Sequence, residues 1–299
     1  MLAAFLVTLT RPGAWAVSLA GFLVRGGIFP LALPIVVLPT PPGLQNTLGA
    51  PVGALLVGAS STAFVLLVAG LLLLLAGAIF LGAWAGAWAE RHGIRGIIEA
   101  ARDEGLVEDF TEPAGVPGAG RIGVLRLLGL APVAVVLLLS AGTIYDAAYR
   151  ELVLPAELRT LLVVRILAAA PGTFLGILVA WMVGDAAASM AVRSLVLERR
   201  SLPVAWARGW WSLVRHLPRV AGTAVVTLLV LAVCIAPGVG AALVGWERVR
   251  EAFLEARDPV GMTISVLLWV AVWLGALVLA GFASAFRNAA WTFAAHRTG

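Results

Sequence analysis

Six stretches of this chain are too long and too apolar to sit comfortably in a soluble core. They run over about 14–38, 62–89, 123–146, 172–196, 220–244 and 260–286. Each exceeds the roughly 20 residues that a helix needs to cross a bilayer's hydrocarbon layer. A segment in that layer has no water to satisfy its backbone, so it closes its hydrogen bonds within itself. The expected fold class is therefore all-α: one integral membrane domain over 1–299, a polytopic transmembrane helix bundle of six spans. Composition agrees, with 61% hydrophobic and 12% charged residues, against roughly 45–50% and 25% in soluble domains.

The positive charges orient these spans. The chain has 21 arginines and no lysine. If the sides alternate through six spans, fourteen arginines fall on the side of the termini and five on the other. Arg25 and Arg165 lie within apolar sequence. The positive-inside rule then places both termini in the cytoplasm of a bacterial plasma membrane. The arginines bracket apolar spans, which speaks for orientation and against nucleic acid. The apolar run of the first span is too long for a cleavable signal and ends without a small-residue cleavage site. The single Cys234 excludes an intramolecular disulfide.

Several interruptions carry meaning. Leu2, Phe5, Leu6 and Leu9 share a helical face ahead of Arg11-Pro12-Gly13, which suits a short interfacial helix. Arg25-Gly26-Gly27, then Pro30 and Pro34, should kink or break the first span. Residues 39–61 are uncharged and form an outer loop. The polar segment 90–120 holds seven acids and three arginines between Glu90 and Glu112, net −4. It is expected to lie against the basic stretch 193–219. Residues 157–170 read as helical up to Pro171-Gly172, and Trp246, Val249 and Phe253 suggest a second surface helix.

A repeat runs through these spans. Gly82, Gly184 and Gly281 each open a small-residue run at the end of an even-numbered span. Arg11 with Gly13, Arg126 with Gly129 and Arg219 with Gly222 precede the odd-numbered ones. The unit is a surface helix plus a two-span hairpin, giving three parallel hairpins with cytoplasmic interfacial elbow helices. Gly82 and Gly86 have the small-xxx-small spacing that lets helices approach closely.

The most informative elbow is 193–219, where six arginines (Arg193, Arg199, Arg200, Arg208, Arg215 and Arg219) face one acid, Glu198. On a helix, Leu202, Trp206, Trp210, Leu213 and Leu217 fall within roughly 80° of one another, with Arg208, Ser212, Arg215 and Arg219 opposite. Such a helix should lie in the membrane surface, apolar side down, with all six arginines as candidate lipid head-group contacts. The segment Ser201-Leu-Pro-Val-Ala-Trp-Ala-Arg-Gly209-Trp210, with Leu213, Arg215 and the span that follows, resembles the elbow of uncharacterised bacterial six-span membrane proteins. It also resembles the membrane domain fused to some glycerophosphoryl diester phosphodiesterases. In those fusions the activity resides in a separate soluble barrel, so the resemblance implies a membrane module without hydrolase chemistry.

No nucleotide-binding loop, dinucleotide fingerprint, zinc-protease helix or nucleophile elbow occurs. His92, His216 and His296 lack the spacing of a metal site, and no cofactor is expected. What remains is a candidate intramembrane polar site: Asp185, Arg25 and Arg165. Charges in spans are costly and usually face a bundle interior or a water path. A direct pairing of Asp185 with Arg25 requires a tilted or broken first span, and Arg165 can snorkel to an interface. Trp15, Trp84, Trp88, Trp246 and Trp291 read as interface anchors. The expected function is a non-enzymatic accessory or scaffold protein with membrane lipids as partners, and another membrane protein or a second copy besides. The rival is a small-solute transporter or channel subunit with a path near Asp185. For the topology, a cysteine-free chain carrying single cysteines should be labelled from outside at Gln45 or Glu255 and spared at Glu104; outside labelling of Glu104 overturns the orientation.

Overall fold

The computed structural model describes residues 1–28, 31, 61–105, 118–153, 162–255 and 259–296. The outer loop 39–61 therefore lies outside the described residues, apart from Ser61. Every described element is a helix, as the apolar runs demand: α1 (Leu2–Thr10), α2 (Gly13–Phe22, continued by one wide turn at Leu23–Gly27), α3 (Ser61–Asp103), α4 (Ala119–Leu128), α5 (Ala131–Val153), α6 (Leu162–Ala169), α7 (Pro171–Leu197), α8 (Leu202–Arg215), α9 (Leu217–Glu255) and α10 (Pro259–His296). Among these, five stretches are long and apolar enough to cross a membrane, and α1 with α2 makes a sixth if the 107° bend between them counts as one broken span. The chain is an all-α polytopic membrane protein.

Two compact units emerge, one formed by 1–110 with 225–293, the other by 111–224 with 294–299. Boundaries fall inside α9, after Ala224, and near the end of α10, after Phe293. In both, many large apolar side chains of the spans point outward and small ones inward. Leu73, Leu74, Leu138, Leu139, Leu267 and Leu268 are exposed, whereas Ala87, Ala187, Ala191, Ala280 and Ala289 are buried. Water would penalise that distribution; lipid tails are as apolar as leucine and leave close packing of small residues to hold helices together. α7 is the centre of the second unit, since half of its most apolar stretch is buried, against 17–22% in the other four spans.

Several boundaries differ from expectation. α3 runs on through the polar segment as far as Asp103, because Ile94, Ile97, Ile98 and Ala101 keep a buried stripe going. At 1.5 Å per residue its 43 residues reach about 64 Å, far past the hydrocarbon layer. α9 likewise continues unbroken to Glu255, so the surface helix expected around Trp246 is an extension of the fifth span. A turn at Gly129-Leu130 separates α4 from α5, and Ala170, outside the helical region at φ −135° and ψ 55°, separates α6 from α7.

The repeat glycines of the even-numbered spans are all crossing points. A Cβ on Gly82 would stand 2.7 Å from the Val24 carbonyl oxygen, and one on Gly281 3.0 Å from that of Trp15. One on Gly184 would collide with the Gly129 carbonyl. The matching glycines of the odd-numbered spans are not equivalent: Gly129 is crowded, with Ala188 Cβ at 2.8 Å, but Gly13 and Gly222 have no described atom within 4 Å. The third copy also departs from a simple hairpin, because Gly281 of α10 packs on α2. The contrast is testable. Gly184→Ala should cost about 1–3 kcal/mol by overpacking against backbone that cannot yield. Gly222→Ala should be neutral or stabilising by up to about 1 kcal/mol through helix propensity. Melting temperatures in detergent check both.

Candidate functional site: two arginine–carboxylate crossings

The first crossing is built by the break in α2. Gly26 sits at φ +101°, a conformation that side-chain-bearing residues rarely adopt, and Arg25 leaves the helical region at ψ 16°. This break turns the Val24 carbonyl toward Gly82 and lays the Arg25 side chain across Gly86. A Cβ there would come within 2.5 Å of Arg25 Nε and 2.8 Å of its Cγ, so only glycine leaves room. Arg25 Nη2 donates to the Gly86 carbonyl and to Glu90 Oε2, both at 2.6 Å. Gly82, Gly86 and Glu90 follow one another at four-residue steps, so one stripe of α3 supplies the gap, the carbonyl and the acid. The Glu90 side chain is only 1% exposed. A carboxylate so buried stays charged only beside a cation that also hydrogen-bonds it.

The second crossing lies in the other unit. Gly129 and Gly184 bring the α4–α5 turn against α7 backbone to backbone. Arg126 precedes Gly129 by three residues and Asp185 follows Gly184 by one, so the same approach brings their side chains together. Arg126 Nη1 donates to Asp185 Oδ1 and to Ser189 Oγ, each at 3.1 Å. Asp185 and Ser189 are one turn apart on the same face of α7. One turn further, Arg193 Nη1 donates to the Ser189 carbonyl at 3.3 Å. The run Asp185–Ser189–Arg193 is thus a polar stripe inside a bed of alanines, with Arg126 covering its start.

The three charges singled out from sequence each receive a separate counter-charge: Glu90 for Arg25, Arg126 for Asp185 and Glu151 for Arg165. The last pair stands at 3.6 Å, an ion pair too long for a hydrogen bond. Glu90 and Arg126 were missed as clamp residues because both adjoin charged loops in sequence. Their signal was spacing: Glu90 lies four residues past Gly86, and Arg126 three before Gly129. The other described acids near Glu90 also find partners in their own unit, while Glu108, Asp109 and Glu112 lie outside the described residues. Arg11 pairs with Asp103, Thr10 donates to Glu104 at 2.5 Å, and Arg95 pairs with Glu99. The basic elbow belongs to the other unit.

Within that elbow the structure corrects three expectations. Arg193 is fully buried in α7 and is no head-group contact. Ser212, expected on the arginine side, is buried with Ala205 and Gly209, because α8 packs its small residues onto α7. A Cβ on Gly209 would strike the Ala187 carbonyl and stand 2.8 Å from Ala191 Cβ. The apolar stripe predicted to enter lipid is instead partly covered, with Leu213 buried and Trp206 and Trp210 half-buried in edge-to-face contact at 5.8 Å. Trp291, expected at an interface, is also buried, whereas Trp84 and Trp88 are exposed. Arg199, Arg200, Arg215 and Arg219 are exposed and Arg208 half-buried.

Comparison with known proteins finds no matching family, no matching curated protein and no matching solved structure. Chemically, then, the geometry stands alone: two charged crossings, each with its donors and acceptors directly joined. Asp185→Asn keeps an acceptor for Arg126 and should cost about 1 kcal/mol. Asp185→Leu removes the counter-charge and should cost about 2–3 kcal/mol, below the value for a fully buried pair because Asp185 is 23% exposed. Thermal unfolding of both variants in detergent measures the difference; equal stabilities would show that the crossing holds nothing.

Proposed function

We propose that this chain is a non-enzymatic accessory or scaffold protein of the bacterial inner membrane, with both termini in the cytoplasm and its elbow segments resting against lipid. The observation that carries this reading is the pairing of the charges in and beside the spans. Arg25 with Glu90 and Arg126 with Asp185 are bonded directly, at glycine crossings where helices touch. A translocation site is expected to present polar groups to a wetted cavity. Among the described residues, the cleft lined by Val7, Arg11, Ser18 and Ile97 encloses only about 10 Å³, room for a single water. Helix crossings locked by charge within each unit suit a protein whose work is to hold a neighbour in place.

One observation favours the rival transporter reading: the first span is broken at Arg25-Gly26, and discontinuous helices are the usual home of substrate sites in transporters. The two readings separate by experiment. Cross-linking and purification from native membranes in mild detergent should recover a stoichiometric membrane-protein partner, and Arg25→Gln should weaken the fold. Proteoliposomes that move a solute or proton, and lose that flux in Asp185→Asn or Arg25→Gln with melting temperature unchanged, would replace the scaffold by a transporter.

A further inference from the structure

α8 turns a second face outward, and that face is not the one its hydrophobic pattern suggests. With Ala205, Gly209 and Ser212 committed to α7, the flank about a quarter-turn away carries Val204, Arg208, Trp211 and Arg215 at steps of four, three and four. Val204 is 46% exposed, Trp211 61% and the adjoining Val214 72%. An exposed tryptophan between two arginines, flanked by valines, fits neither a purely solvated face nor a purely apolar one.

The surroundings extend the positive charge. α7 ends at Leu197, and the chain reverses through Glu198, Arg199 and Arg200 before Ser201 and Pro203 start α8. Glu198 Oε2 is held at 3.2 Å by both Arg200 and Arg208. One carboxylate thus fixes two guanidinium groups and neutralises half of their charge, and each guanidinium has five N–H donors to offer. Arg199 stands at φ +54°, where glycine would be the least strained residue. Keeping an arginine there is the kind of local cost that accompanies use of the side chain.

We propose that this face is a binding surface for anionic phospholipid, with Arg199, Arg200, Arg208 and Arg215 taking the phosphodiester head groups and Trp211, Val204 and Val214 entering the head-group–acyl boundary. The helix joins two span-length helices, α7 and α9, so it lies at a span end, where that boundary is found. Arginine's planar fork matches phosphate oxygens in pairs, and indole rings favour the same depth. The occupant is thereby identified by charge complementarity and by the mixed aromatic–basic character of the surface. This deepens the lipid contact of the proposed function. It rests on the membrane reading of the chain but not on the scaffold role, which stands or falls with co-purification.

The test uses the full chain in mild detergent, titrated with phosphatidylglycerol or phosphatidylcholine and read by native mass spectrometry. The native protein should retain phosphatidylglycerol in preference. The triple variant Arg200→Gln, Arg208→Gln, Arg215→Gln should lose about 10- to 100-fold in phosphatidylglycerol affinity, with phosphatidylcholine binding and helical content unchanged. Arg215→Glu leaves both contacts to Glu198 in place and should show the same loss, in part, even if the triple variant folds poorly. Equal binding of the two lipids by the native protein overturns the proposal. So does native phosphatidylglycerol affinity in Arg215→Glu, the result expected if an acidic protein surface were the true occupant.

Discussion

The structure depends on backbone meeting backbone at glycine. In lipid, apolar burial does little to press one helix against another, and association relies on van der Waals contact and hydrogen bonds made at short range. Gly82, Gly184 and Gly281 each accept a carbonyl oxygen of another segment where any side chain would collide. Such approaches are the precondition for the two arginine–carboxylate crossings. Arg25 reaches Glu90 only because Gly86 leaves its path clear, and Arg126 reaches Asp185 only because Gly129 and Gly184 touch.

The charges then return the favour. Packing of small residues is weakly directional, and an alanine-rich surface such as Ala186–Ala191 of α7 can slide against another with little penalty. An arginine fixed to an acid and a second acceptor one turn away, Gly86 in one unit and Ser189 in the other, defines a register. Shifting by one turn would strand a buried carboxylate, which in a low-dielectric setting is far costlier than a lost methyl contact. Close approach and ion pair thus specify the same geometry, and both units carry the combination.

The elbow shows the same logic turned outward. α8 presses its smallest residues into α7 and leaves valine, tryptophan and arginine outside. A hydrophobicity pattern assigns the largest apolar stripe to the buried side, but a tight crossing rewards the absence of side chains over their bulk. Gly209 is the decisive residue: it lets α8 sit against the Ala187 carbonyl, and that contact rotates the arginine face into view.

The sequence by itself determined the helical class, the break at Arg25-Gly26, the close approach at Gly82 and Gly86, and the last five of the six expected spans. These follow from local properties: run length, backbone freedom and four-residue spacing. Tertiary structure alone decided which charge answers which, that Arg193 and Trp291 are buried, and which side of α8 faces out. Asp185 and Arg126 lie 59 residues apart, and Arg25 and Glu90 lie 65 apart. No periodicity within one helix can report a partner on another, because the pairing is fixed by how closely two backbones approach.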